Sequence, residues 1–509
     1  MHDAWEGMKS DRPTPYRHLP LGEVREWDLD ADVIVVGFGA AGASAALGAA
    51  TAGARVLLLE AASGHGGTSA MSSGYIYFGG SGGTPAQREN GFEDRTEDFY
   101  RYMMMAGGPD ADEERVRLYA DHALDHFRWL TEQGVAFRKT YVPGKQGTPD
   151  NGDCLVWSGH EAAWPFNEAA RPCPRGHLPD APGEPGGKAL VDALASSVEA
   201  LGVEVRFDAR TTALVADEDL AVHGVVVTMN GSRRFARARR GVILCAGGFV
   251  LNEEMITKHA PLATRLADDA LSAGHDDGSG IAMALSVGAD AIHMDQLFTT
   301  LPLYPPESHV KGILVNAVGQ RFVNEDAYPG RIAVHCTRQP NGQVFLLVDD
   351  ATFERPEPLS RIEVVAVADR WDDLARELGM DPEALVETVE TYNRHAARGE
   401  DPLFHKTASW LRAIDEPPFA ALACHVGQAF YPYFTLGGLR TQPTGEVLTP
   451  GGEAVPGLYA AGRTACGLPR WSEGYSSGMS LADCTFFGRL AGERAAGGEA
   501  IVAFARSMT

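Results

Sequence analysis

Ala31-Asp32-Val33-Ile34-Val35-Val36-Gly37-Phe38-Gly39-Ala40-Ala41-Gly42 decides how the rest of the chain is read. Val33 to Val36 form a short β-branched run without polar alternation, the pattern of a strand buried on both faces of a parallel sheet. G-x-G-x-x-G follows at once, small residues continue to Ala52, and a second apolar run, Val56-Leu57-Leu58-Leu59, ends at Glu60. Alone the glycine pattern is weak; inside a complete strand, helix, strand unit with an acid closing the second strand, it is a dinucleotide fingerprint. Gly37 permits the tight turn, Gly39 lets the backbone approach a pyrophosphate, and Gly42 lets the helix pack closely. The helix start then offers free N–H groups and a partial positive charge to phosphates, and Glu60 stands where a carboxylate accepts ribose hydroxyls.

Outward from this unit, strands are expected at 203–207, 211–215, 222–229 and 242–245, with Asn230-Gly231 as a hairpin turn. Residues 1–28 are polar and proline-rich and read as a surface arm. From 298 to 437 the texture changes to mixed segments broken by Pro302, Pro305, Pro306, Pro329 and Pro340, the mark of a domain inserted into the first. Gly457-Leu458-Tyr459-Ala460-Ala461-Gly462 reads as a further buried strand, followed by a helix from about Ser477. The expected division is therefore an arm (1–28), a nucleotide-binding domain in two parts (29–297 and 438–509) and an insertion (298–437).

Composition bounds the function. A chain of 509 residues with 44% hydrophobic content has the size and apolar content of a multidomain enzyme. Its 44 basic against 68 acidic residues leave a formal charge of −24, which repels phosphate backbones, so no nucleic-acid partner is expected. Seven scattered cysteines without C-x-x-C argue against a disulfide framework, a zinc ribbon or any metal site. No apolar leader or long apolar window is visible, so membrane insertion is not expected and a cytoplasmic location is. A second G-x-G-x-x-G is absent, which leaves no site for a nicotinamide dinucleotide and calls for another, unidentified electron acceptor.

Three further small-residue motifs narrow the cofactor: Gly66-Gly67-Thr68-Ser69 with Ser72-Ser73-Gly74, Gly241-Val242-Ile243-Leu244-Cys245-Ala246-Gly247-Gly248, and the strand ending at Gly462. Together with the hairpin they resemble the glutathione-reductase-type FAD domain of the fumarate reductase and 3-ketosteroid dehydrogenase superfamily, from residue 30 to 495. The resemblance implies an α/β, Rossmann-like FAD-binding domain carrying an inserted α+β capping domain. It implies non-covalent FAD held by Gly37, Gly39, Ala40, Ala41, Gly42 and Glu60. It adds Gly67, Thr68, Ser69, Ser73 and Gly74 from the loop after Glu60, and Ala246, Gly247, Gly462, Ser477 and Leu481 from later segments. Arg463 departs from the pattern, since many relatives carry Glu there, and takes no role. His65 precedes the position of the linking His of covalent relatives and is read as structural. Met103-Met104-Met105 and Trp129 read as packing, and Asp276-Asp277-Gly278 as a helix cap.

Within the superfamily, fumarate reductases place an Arg after R-F-x-N-E and a His before T-x-G-G to hold a dicarboxylate. Here Arg321-Phe322-Val323-Asn324-Glu325 leads to Tyr328-Pro329, and Phe434 stands before Thr435-Leu436-Gly437-Gly438. Arg331 and His335 lie nearby and keep a fumarate- or urocanate-type enoate reductase as an alternative. Gly474-Tyr475-Ser476-Ser477-Gly478, paired with Tyr328-Pro329, instead resembles the 3-ketosteroid Δ4-(5α)-dehydrogenases; the sister Δ1-dehydrogenases, a further alternative, carry a Y-P-G-P-G type sequence there. The resemblance implies a 3-keto-5α-steroid substrate, with Tyr475 polarising the C3 ketone, Ser477 taking the C4 proton and Tyr328 relaying it. Desaturation beside a ketone removes a proton and a hydride, and a flavin N5 is a suitable hydride acceptor.

Overall fold

The computed structural model describes residues 17–145, 153–182, 184–266 and 268–497. The decisive stretch folds as strand Leu29–Val36, helix Ala40–Thr51 and strand Val56–Leu59. Both strands are central in a nine-stranded sheet. Leu29–Val36 lies between Val56–Leu59 and the long strand Ser232–Leu244, parallel to both. Alternate residues supply two separate cores: Ile34, Leu57 and Leu244 face one, Val33, Val35, Leu58 and Ile243 the other. A strand buried on both faces reads as continuously apolar for this reason.

Ser232–Leu244 changes partners along its length. Its first half forms a hairpin with Val222–Met229 through Asn230 and Gly231, whose φ values of 49° and 69° are those a tight two-residue turn requires. Its second half runs parallel to Ala454–Ala460, returning the end of the chain to the first domain. In its described part, residues 17–28, the segment expected as a surface arm has no buried residue but is attached to the sheet. Leu19–Pro20 pairs with Val215 and Ala216 at the sheet edge, and Trp27 packs against Gly224, so residues without apolar periodicity are held by backbone pairing. Residues 1–16 lie outside the described residues.

Between 298 and 437 stands a second, antiparallel sheet of Ile313–Asn316, Val344–Val348, Phe419–Ala423 and Glu363–Ala368. Helices Trp371–Glu377 and Pro382–Ala396 pack on one face of it. Leu297–Thr299 and Tyr433–Thr435 pair antiparallel at its root, so chain enters and leaves side by side. Helices Thr96–Gly107 and Glu113–Glu132 form a further layer not foreseen as a unit. Met103 and Trp129 are packing residues of that layer. Among the described residues no helix is long and apolar enough to cross a membrane.

The final helix is Met479–Ala495 and begins after Ser477, because Gly478 takes a left-handed φ of 107°. It lies against Ala40–Thr51 with backbones almost touching. A Cβ on Gly48 would come 2.3 Å from the Arg489 carbonyl oxygen, and one on Gly492 would come 2.0 Å from that of Ala45. Gly492→Ala should therefore lower stability by ~1–3 kcal/mol through overpacking, read as a fall in Tm. An unchanged Tm would mean the two helices can separate without cost.

Candidate active site

At the carboxyl ends of the parallel strands lies a groove of about 370 Å³. Of the residues expected at a cofactor, Gly37, Gly39, Ala40, Ala41, Glu60, Gly67, Thr68, Ser69, Ala246, Gly247 and Gly462 line it. Gly42 stands behind them: a Cβ there would come 1.8 Å from the Gly37 carbonyl oxygen, so its part is the close turn. Ser73, Gly74, Ser477 and Leu481 lie outside this lining; Gly74 packs on the backbone of Gly186 and Leu481 is buried in the core. The segment read as a Gly-rich loop is a short helix, Gly67–Met71, since Gly66 at φ 119° makes the turn and releases the chain into it.

The groove's chemistry fits FAD. Helix Ala40–Thr51 receives no side-chain cap from its N-cap residue Gly39; Ala40 N–H donates to Ser69 Oγ at 3.3 Å, and the Ala41 N–H that follows has no acceptor within the helix and lies at the groove's edge. Glu60 accepts from the N–H groups of Phe38 (2.6 Å) and Ala62 (2.8 Å), which fixes its carboxylate at the strand end. In the turn read as a helix cap, Asp277 does the capping by accepting from Ser279 N–H at 2.9 Å, while Asp276 has a separate part. Asp276 is buried and accepts from Thr68 Oγ1 (2.6 Å), Ser272 Oγ (2.6 Å), Arg463 Nη2 (2.7 Å) and Gly248 N–H (3.0 Å). Against the penalty of burial, Arg463 and these donors hold its carboxyl below the usual range. Arg463 thus acquires a place the motif reading withheld: it lines the groove, and its buried Nη1 has no hydrogen-bond partner among the described residues. A spare donor there suits a polar flavin ring edge.

Beside the groove the structure brings together the three hydroxyl residues singled out in the sequence. Tyr328 and Tyr475 are 8% and 5% exposed and share one core with Phe298 and, at its margin, Phe434. The Tyr328 hydroxyl and Ser477 Oγ are hydrogen-bonded at 2.7 Å across 149 residues of chain. Ser477 is held by a reciprocal clamp: its N–H donates to the Ser158 carbonyl (2.9 Å), and Ser158 Oγ donates to the Ser477 carbonyl (2.8 Å). The Tyr475 ring packs on Phe298 at 4.5 Å and edge-on to Phe434 at 5.8 Å. Its hydroxyl meets Ser480 Oγ at 3.0 Å and also the Ser480 backbone N–H. Burial pushes Tyr475 up to about 12, against the opposing effect of Ser480, and raises Tyr328 well above the usual phenol range. Both remain phenols at neutral pH.

Ser480, Phe298 and Glu473 were not singled out from the sequence. Ser480 is the second residue of the helix that follows a motif already recognised, but nothing in a lone serine marks it. Arg331 and His335 do not converge on an open anion site. They face Glu473, at 3.7 and 3.5 Å, and Arg338 completes the group with a short ion pair. His335 foremost, then Arg338, draw the Glu473 carboxyl down to about 2 despite burial.

Comparison with known proteins agrees with this geometry. The family model for the FAD binding domain matches residues 32–478. A crystal structure of a 3-ketosteroid Δ4-(5α)-dehydrogenase from Rhodococcus jostii RHA1, in complex with 4-androstene-3,17-dione, is 42% identical with a TM-score of 0.88, over 94% of this chain and 99% of that one. A 3-oxo-5-alpha-steroid 4-dehydrogenase of Comamonas testosteroni is 29% identical over 87% of this chain and 96% of its own. A probable fumarate reductase of Shewanella frigidimarina is 28% identical over 91% of this chain and 74% of its own. The chain belongs to the FAD-binding flavoprotein family and, within it, to the family of 3-ketosteroid Δ4-(5α)-dehydrogenases.

His65, the one histidine beside the Gly66–Gly67 turn, is engaged with Asp192 at 2.9 Å. Acid precipitation of the purified protein should therefore release the flavin to the supernatant. Colour that stays with the pellet would mean a covalent link.

Proposed function

We propose that the protein is an FAD-dependent dehydrogenase that introduces the C4–C5 double bond into 3-keto-5α-steroids. The observation that carries this reading is the 2.7 Å Tyr328–Ser477 hydroxyl pair next to Tyr475 on an aromatic wall. Bound FAD supplies the acceptor for the C5 hydride. The chain's own work is then to hold an apolar ketone, polarise it and remove a proton.

Tyr475 is the donor to the C3 carbonyl. With Ser480 donating to its oxygen, the phenol proton is free to point at substrate, and burial keeps it in place. One such donor facing developing enolate charge is typically worth ~3 kcal/mol. Ser477 Oγ takes the C4 proton. A lone serine hydroxyl is a poor base, so its own proton must pass on, and Tyr328 is the hydrogen-bonded group able to receive it. Because burial makes a Tyr328 phenolate expensive, Tyr328 accepts the serine proton as its own hydroxyl proton leaves to solvent water, so that neither hydroxyl holds charge. The products are the 4-ene-3-ketone and reduced flavin, which an electron acceptor of unidentified nature reoxidises.

Two observations weigh against the enoate reductase. Phe434 replaces the expected His and lies on Phe298 at 4.8 Å, an apolar surface suited to a steroid. Arg331 and His335 are already engaged by Glu473. The steroid named with the Rhodococcus relative supports the same substrate class. The seven cysteines are unpaired, which suits the reducing cytoplasm we propose as the protein's location.

Tyr475→Phe, Ser477→Ala and Tyr328→Phe should each retain FAD and lose turnover of 5α-androstane-3,17-dione by ~10² or more, with smaller changes in steroid affinity. Near-normal turnover by Ser477→Ala would send the proton by another route. A product unsaturated at C1–C2 would place the enzyme with the Δ1-dehydrogenases.

A further inference from the structure

Tyr328 immediately precedes helix Pro329–Thr337, and its position follows that of the helix. Arg331, His335 and Arg338 recur at helical spacing on one side of this segment, and Glu473 meets all three. Glu473 sits in the short turn Ser472–Gly474, directly before Tyr475 and the Ser477 loop. The turn is fastened elsewhere as well. Ser472 N–H and Oγ donate to Gln296 Oε1 at 3.1 and 3.0 Å, and Leu297 N–H donates to Ser472 Oγ at 3.2 Å. Gly474 rests on helix Thr96–Gly107, where a Cβ would come 2.1 Å from the Ala106 carbonyl oxygen. These contacts tie the turn to its own domain and to the strand bearing Phe298. Among the described residues, the ion pairs that join the turn to the helix of Tyr328 run through Glu473.

We infer that Glu473 is a positioning residue for the dehydrogenation, holding Arg331, His335 and Arg338 along one helix and its C-cap so that Tyr328 meets Ser477 within hydrogen-bonding distance. The inference rests on the function proposed above. A proton relay tolerates displacements of only ~0.5 Å. The Glu473 side chain is 13% exposed, so its carboxylate works in a partly dehydrated setting where charge is poorly screened. Removing that charge would leave Arg331 and Arg338, which already oppose one another, without the carboxylate between them. The helix would then move away and carry Tyr328 with it. Glu473 touches neither Tyr475 nor the groove lining through these bonds, so FAD binding and ketone polarisation should be spared.

The test is a double-mutant cycle on the FAD-loaded protein, read as the rate of anaerobic flavin reduction by 5α-androstane-3,17-dione together with steroid affinity and FAD content. Glu473→Gln preserves volume and should slow reduction by ~10- to 100-fold while affinity and FAD content stay close to wild type. In the Tyr328→Phe background the same substitution should add little further loss, because the group it positions is already disabled. Arg338→Ala, at a side chain 55% exposed, is the second variant should Glu473→Gln fail to fold, and it should show a smaller loss with the same non-additivity. A full additional loss in the Tyr328→Phe background, or no loss from either variant, would overturn the positioning role alone. Failure of the wild type to reduce its flavin with this steroid would overturn the dehydrogenase reading beneath it.

Discussion

The close contact between helices Ala40–Thr51 and Met479–Ala495 is the constraint on which the rest depends. Gly48, Gly488 and Gly492 let the two backbones approach so closely that side chains at these positions would collide with carbonyl oxygens of the facing helix. The first helix opens at the nucleotide turn and the second opens directly after the Tyr475–Ser477 loop. One backbone-to-backbone contact between an early and a late helix therefore sets the cofactor groove and the Tyr475 and Ser477 hydroxyls in register. Dispersion and apolar burial supply its stability, and the absence of side chains supplies its precision.

A second joint brings in the inserted segment. Antiparallel pairing of Leu297–Thr299 with Tyr433–Thr435 fixes its root, and the same two strands present Phe298 and Phe434 to Tyr475. The root and the aromatic wall are thus one piece of structure. Tyr328 reaches the wall from the other side of the insertion and completes the hydroxyl pair with Ser477. On the cofactor side, buried Asp276 joins Thr68 to Arg463, linking segments remote in sequence around one charge. Such a charge is stable in the interior only because each of its neighbours donates to it.

Much of this was legible in the chain itself. An apolar run that ends in glycine within a strand, helix, strand unit has the pattern of a buried parallel strand and tight turn, and Asn-Gly between two β-rich runs that of a hairpin, so these elements were readable from local pattern. The hydroxyl residues were singled out by the resemblance their compact motifs carry; that Tyr328 and Ser477 share a hydrogen bond is what the structure adds. Leu19–Pro20 was not, since a two-residue edge strand has no period. Glu473, Ser480 and the Asp276–Arg463 pair were hidden for a related reason: their meaning lies in partners far away in sequence, and a single Glu or Arg looks the same whether solvated or clasped. Arg331 and His335 looked like substrate ligands because the counter-ion that occupies them is remote along the chain.

The central claim is that hydride leaves C5 and the proton leaves C4 of a 3-keto-5α-steroid. The most direct measurement is stopped-flow flavin reduction under anaerobic conditions with 5α-androstane-3,17-dione deuterated in turn at C5, at C4 and at C1 with C2. The account predicts rapid bleaching of the flavin, a primary isotope effect from C5, and none from C1 or C2. Absence of bleaching, or an isotope effect that appears with C1 or C2 label instead, would contradict it.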